Sequence, residues 1–192
     1  MAYDKEAVKG CVLNSTQDLL DLYSEETNEE VIANTAERCA RAHFEIMSGY
    51  DKDPEEILAR TFPTDADDMV AVTNIPVISM CEHHLMPFRG HAHVGYIPDG
   101  ELLGVSKIAR LVDCYARRMQ LQERITSETA NAIMEHVSVK GVGVVVVAEH
   151  TCMTSRGVNM PGALTVTSAM RGMFRDDDKT RAEFMTLIGV KS

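Results

Sequence analysis

The stretch "GVGVVVVAEHTCM", residues 141–153, decides how the chain folds. β-Branched residues dominate it from Val142 to Val147, and such side chains fit the pleated surface of a sheet better than the crowded turns of a helix. It reads as a strand. Three further segments share its texture: "MVAVTNIPVIS" (69–79), "HAHVGYIP" (91–98) and "ALTVTSAM" (163–170). Between "HAHVGYIP" and "GVGVVVVAEHTCM" lie two helical patterns. "SKIARLVDCYARRM" (106–119) carries Ile108, Leu111, Val112, Tyr115 and Met119 on one face, and "SETANAIMEHV" (127–137) carries Ala130, Ile133, Met134 and Val137. A last helix is predicted over about 179–188. This order, with strands suited to hairpins, predicts an α+β domain: an antiparallel four-stranded sheet with helices on one face.

Upstream the texture is helical. Residues 5–22 and 29–48 carry apolar positions at helical spacing, separated by the acidic, turn-like "SEETNEE" (24–30), and Gly49 is placed as a stop. Asp53, Pro54, Glu55 and Glu56 read as an N-cap, a first-turn proline and acids that suit the helix dipole. "FPTDADD" (62–68) then reads as a loop.

At 192 residues and 45% hydrophobic, the chain can bury one sizeable core. No apolar run approaches membrane-spanning length, and "MAYDKEAVKG" lacks the basic-then-apolar pattern of a signal peptide. Five cysteines at irregular spacing argue against a disulfide framework and for a reducing, cytoplasmic setting. A net charge of −10 argues against nucleic acid as a partner, though basic residues clustered locally can still hold a small anion.

The chemistry gathers at strand ends. Along "GVGVVVVAEHTCM", period-two alternation predicts His150 and Cys152 on the same face. In "SMCEHHLMPF" (79–88), Cys81, Glu82, His83 and His84 stand in an unbroken row, too many polar groups for a core strand. The three-residue step from Cys81 to His84 lets both face one ion where the backbone turns. Thiolate with imidazole favours zinc over the hard, oxygen-seeking magnesium and calcium. The competing reading is a structural zinc, or buried cysteines beside incidental histidines. The surplus of groups weighs against it: two thiolates and one imidazole leave a coordination position open and two histidines for proton transfer. Spacing leaves open which of His83 and His84 is the ligand. His43, His91 and His93 read as packing or surface residues, and Cys11, Cys39 and Cys114, which lie in helical patterns, as small core residues.

"GVSKIAR" (104–110) precedes an amphipathic helix, with Ser106 where an N-cap belongs and Lys107 and Arg110 on the first turn. A helix N-terminus with added cations suits a phosphate; an ordinary capped helix is the alternative. Arg156, four residues beyond Cys152, adds a cation or is a surface arginine. In "QERIT", Glu123 beside Gln122 falls between the helical segments. A carboxylate there is ordinarily solvated, yet it can accept from paired ring N–H and amino donors such as those of guanine.

Together "SMCEHHLMPF", "GVSKIARLVDCYARRMQLQERIT", "HTCMTSRGV" and "TVTSAMRGMFRDD" closely resemble the GTP cyclohydrolase I family through most of residues 69–188. "NTAERCAR" (34–41) is similar to that family's "DTPxRVAK", with Ala36 in place of proline and Arg41 in place of lysine, and Val105 replaces a leucine. The resemblance implies a helical N-terminal region over 1–63 and a tunnelling-fold (T-fold) catalytic domain over 64–192. It implies zinc held by Cys81, His84 and Cys152, with His83 and His150 as proton carriers. Glu123 and Gln122 would anchor guanine, while Ser106, Lys107, Arg110 and Arg156, with Arg38 and Arg41, would serve the ribose and triphosphate. The family assembles as a toroidal homodecamer of two pentamers with active sites between subunits.

The implied reaction converts GTP to 7,8-dihydroneopterin triphosphate and formate, the opening step of pterin and folate biosynthesis. Water activated at zinc attacks guanine C8 with His150 assisting at N7. A second hydration releases formate with His83 or His150 moving protons, and the ribose rearranges near Ser106 before the ring recloses. Two other readings compete. Nitrile reductases of the tunnelling-fold group use a cysteine nucleophile, and the full zinc set with the Ser-Lys-x-x-Arg pattern argues against them. A zinc-stabilised purine-binding protein without catalysis is disfavoured because every expected catalytic side chain is present.

Overall fold

A computed structural model describes residues 3–23 and 28–189; residues 24–27 of the expected acidic turn lie outside the described residues. The chain divides into two compact units, Met1–Met47 and Ser48–Ser192. In the first, helix α1 (Lys5–Leu22) begins where the Asp4 carboxylate accepts from the N–H groups of Glu6 and Ala7 at 3.0 and 3.1 Å. Helix α2 (Glu29–Ile46), capped by Asn28, packs on α1. Cys11, expected to be packed, is exposed. No described helix is long and apolar enough to cross a membrane.

The second unit opens with a 3₁₀ turn (Ser48–Asp51) and α3 (Pro54–Leu58), where the Asp53 side chain accepts from Glu55 N–H at 2.9 Å as the Asp-Pro-Glu-Glu pattern predicts. The stretch expected as a loop instead begins with β1 (Thr61–Pro63), which pairs antiparallel with β4 (Glu101–Leu103). Three-residue strands carry no periodicity to read.

The long strands are β2 (Val70–Cys81), β3 (Met86–Pro98), β6 (Val139–His150) and β7 (Thr165–Gly172). All four run antiparallel to their neighbours, in the order β2-β3-β6-β7. The two-residue β5 (Met119–Gln120) adds a fifth strand, parallel to the end of β2. The fold is the expected α+β tunnelling fold, with this edge as an addition. Helices α4 (Val105–Ala116) and α5 (Gln122–His136) lie on one face. There Val142, Val144 and Val146 of β6 and Val94 and Tyr96 of β3 meet Ile108, Leu111, Ile125 and Ile133 in the main core.

The helices are not confined to that face. The short α7 (Met173–Asp176) and α8 (Asp178–Leu187) bring Phe174 and Phe184 against Val145, whose side chain points the other way. Space for the two rings exists because Gly95 and Gly143 carry no Cβ; one built on Gly143 would lie 2.5 Å from Phe174. An unbroken apolar run from Val142 to Val147 hides this second buried face, since both alternating sets are hydrophobic.

Candidate active site

Cys81 is the last residue of β2, and β3 begins at Met86, so Glu82–Leu85 form the tip of a hairpin. The N–H groups of His84 and Leu85 both donate to Cys81 O, at 3.3 and 2.9 Å. Leu85 sits at φ 50° to complete the turn, a conformation unusual for a residue with a Cβ. This winding brings His84 Nδ1 to 3.8 Å from Cys81 Sγ.

Cys152 arrives differently from expectation. Strand β6 ends at His150, and Thr151–Thr154 form a single helical turn, α6. Cys152 thus reaches the site from a helical turn rather than by strand alternation. Strand β3 pairs at one end with both neighbours, Cys81 opposite Met86 and His150 opposite Phe88, which sets the two clusters side by side. Thr151 Oγ1 donates to Pro87 O at 2.6 Å and fixes the start of α6.

The ligand atoms of Cys81, His84 and Cys152 lie within 4.8 Å of one another, a group that could hold a metal ion. The donor set fits a borderline-soft cation. Burial and then the adjacent Cys81 sulfur push the Cys152 thiol up, and a cation between the sulfurs would relieve both effects. Cys81 is buried, Cys152 half-buried and His84 exposed, so the centre opens to one side. Of the two adjacent histidines, His84 joins the trio; His83 is exposed, its ring 6.2 Å from that of His84 and nearly perpendicular.

His150 is half-buried and stacked on the Phe88 ring, with centroids 4.3 Å apart and planes 11° from parallel. Burial lowers its pKa, against a raising influence from the Glu123 charge. Its Nε2 lies 2.8 Å from Gln122 Oε1. Gln122 and Glu123, expected between helices, form the first turn of α5. The Gln122 side chain is buried and fully engaged by the protein, whereas Glu123 is exposed.

Ser106 is not the cap of α4: Gly104 holds that position with no side-chain cap, and Ser106 is an exposed residue of the first turn. Lys107 is half-buried beside it and Arg110 is exposed. Arg156 is exposed in the loop after α6, close enough for its charge to act on Cys152. Arg38 and Arg41 lie on α2 in the other unit, both exposed, with Arg38 paired to Glu30 at 2.6 Å. One residue escaped the sequence reading: Arg124, which binds Glu82 through two hydrogen bonds. Its place beside Gln122 and Glu123 is the signal that could have found it.

A tunnelling-fold sheet carrying, at the end of adjacent strands, a Cys-His-Cys group that could hold a metal, with the His150 imidazole beside it, defines a class of protein suited to metal-assisted chemistry. The basic start of α4 lies at the other end of the sheet, where Leu103 N–H donates to the Tyr96 hydroxyl, whereas Cys81 pairs with Met86. The family model for GTP cyclohydrolase I matches residues 12–189, and the chain belongs to that family. It is 49% identical to GTP cyclohydrolase 1 of Thermoanaerobacter pseudethanolicus, over 98% of each chain. It is 52% identical to that of Thermobifida fusca, over 91% of this chain and 85% of the relative. For Desulforamulus reducens the identity is 53%, over 88% of this chain and 91% of the relative.

Proposed function

We propose that the chain, as a GTP cyclohydrolase I, hydrolyses GTP to 7,8-dihydroneopterin triphosphate and formate with zinc held by Cys81, His84 and Cys152. The observation that carries this reading is the convergence of those three ligand atoms within 4.8 Å in a member of this family. Zinc bound there supplies Lewis acidity and makes water nucleophilic at neutral pH. The protein's own groups do the rest. The Glu123 carboxylate accepts from the N1–H and 2-amino group of guanine and orients C8. His150, stacked on Phe88, takes or gives a proton at the purine imidazole nitrogen through Nδ1, which makes no hydrogen bond to any described residue. His83, exposed beside the trio, moves the proton that accompanies formate release. Arg156, and Lys107 and Arg110 at the positive end of α4 contributed by a neighbouring subunit, bind the triphosphate, with Arg38 and Arg41 as further contacts. The Ser106 hydroxyl serves the ribose rearrangement.

The same reading makes the protein a cytoplasmic homodecamer of two pentamers with active sites between subunits, at the entry to pterin and folate biosynthesis. A contact between subunits is supported by the outer edge of β7, last in the sheet order and bearing exposed Val166, a surface suited to another subunit. Light scattering measures the assembly. The activity is tested by incubating zinc-loaded protein with GTP and measuring formate and, after oxidation, a fluorescent pterin. Both are expected from the wild type and neither from Cys152→Ser. Binding of GTP without formate release by the zinc-loaded wild type would instead establish a purine-binding protein.

A further inference from the structure

We propose that Gln122 is a positioning residue for His150, fixing its imidazole as the Nε2–H form and leaving Nδ1 as the ring's one free acceptor. This rests on the reading of His150 as a proton carrier in the proposed reaction. The argument begins with the carboxamide. Gln122 is 1% exposed, and its Nε2 faces Val146 O at 2.9 Å, Thr165 O at 3.0 Å and Thr167 Oγ1 at 3.2 Å. Two of the three are carbonyl oxygens, which only accept. Turning the amide over would set Oε1 against both and leave buried acceptors unpaired, so chemistry fixes which end is nitrogen.

Oε1 therefore points at His150 Nε2, 2.8 Å away. A carboxamide oxygen cannot donate, so the proton of this hydrogen bond sits on the imidazole Nε2. In the neutral ring Nδ1 is then bare. Two further restraints hold the arrangement. The buried Phe88 ring lies flat against the imidazole, and Thr126 Oγ1, which donates to Gln122 O at 2.9 Å, also lies 3.2 Å from Thr167 Oγ1. The tilt of the ring, its rotation and its proton are thus set by α5, β3, β6 and β7. Proton exchange at Nδ1 leaves the anchor at Nε2 intact. This differs from the guanine-anchoring role that the family resemblance implies for Gln122, whose carboxamide nitrogen is already shared among three acceptors within the protein.

The test compares Gln122→Leu and Gln122→Glu with the wild type, all zinc-loaded. Gln122→Leu is expected to lose about 10- to 100-fold in kcat, part of what a positioned proton carrier contributes, with KM for GTP and zinc content essentially unchanged. Gln122→Glu, which keeps an oxygen facing Nε2, is expected to recover part of that loss. A raised KM at unchanged kcat, or loss of zinc, or no effect at all, overturns the proposal. ¹⁵N NMR of histidine-labelled wild type, with the His150 signals identified by their absence in His150→Gln, reads the ring directly. The expected spectrum has Nε2 protonated and Nδ1 bare; the opposite form overturns the proposal whether or not the Gln122 variants fold. Because this readout needs no turnover, the expected spectrum in a protein that released no formate would fail the functional reading and leave the positioning standing.

Discussion

Arg124 reaches the carboxylate of Glu82 with both terminal nitrogens, at 2.8 and 3.1 Å, and ties the turn between Cys81 and His84 to the first turn of α5. Glu82 N–H also donates to Gln120 O at 3.2 Å. The Arg124 hydrogen bonds hold the Glu82 carboxyl below its ordinary value, so the pair stays charged through neutral pH. Both partners are substantially exposed, and such pairs contribute little to global stability. Their effect is local. Arg124→Lys, which cannot make the paired bonds, is expected to weaken zinc binding by roughly tenfold, the lower end for groups that hold ligands in place, while the melting temperature hardly moves. Competition with a chromogenic zinc chelator measures this. Unchanged affinity would mean that the turn holds its shape without the pair.

The separation of His83 from His84 predicts opposite phenotypes for neighbouring residues. His84→Ala removes a member of the trio and is expected to abolish both bound zinc and formate release. His83→Ala is expected to keep one zinc per chain and lose about 100-fold or more in kcat, as for removal of a positioned proton carrier. Metal analysis beside a formate assay distinguishes them. Loss of zinc from His83→Ala with retention in His84→Ala would reverse the assignment.

Residue chemistry narrowed the metal ligands to Cys81, Cys152 and one of His83 and His84, and only the family resemblance pointed to His84. The helices followed from local signals, such as the Asp53 cap that the structure reproduces. What it missed was set at longer range. The start of β3 was hidden because Pro87, placed one residue into the strand, reads as a breaker. The start of α5 was hidden because Leu121 occupies the cap position with no side-chain cap, leaving Gln122 to look like loop. The turn at Thr151 was invisible because nothing in "EHTCM" contradicts a continuing strand. The bond between Gln122 and His150 joins residues 28 apart. It exists because α5 lies across the end of β6, a relationship that no local pattern encodes.

The second buried face can be tested at Gly143. A Cβ there would lie 2.5 Å from one Phe174 ring atom and 2.9 Å from Phe184, and the two rings already pack edge to face with centroids 5.3 Å apart. Gly143→Ala is expected to destabilise by about 1–3 kcal/mol, the usual cost of overpacking. Gly143→Ala with Phe174→Leu, which removes the ring's Cε1 at 2.8 Å from the new methyl and frees the shorter side chain to turn aside, is expected to recover part of that loss. Denaturant unfolding at fixed protein concentration measures both. A neutral Gly143→Ala would mean that α7 and α8 pack loosely enough to move aside.

Asp113 predicts a pH dependence whose sign follows from its partners. Burial works to raise its carboxyl, but the hydrogen bonds from Lys52 and Arg117, the latter at 2.7 Å, outweigh this and hold it below the ordinary value. A depressed folded-state value stabilises the fold above the unfolded value near 4, and that contribution is lost as pH falls through the folded value. Asp113→Asn removes the charge at every pH. The variant is therefore expected to be less stable than the wild type by roughly 1 kcal/mol near neutrality, a small figure because the group is partly exposed and screened. The gap should close progressively below about pH 4, where the wild-type carboxylate takes up its proton. Protonation of the zinc ligands also destabilises the protein in acid, but it acts on both proteins and cancels in the difference. Unfolding curves for the pair across the acid range check the prediction. A gap independent of pH would show that Asp113 stabilises through shape and hydrogen bonding rather than through its charge.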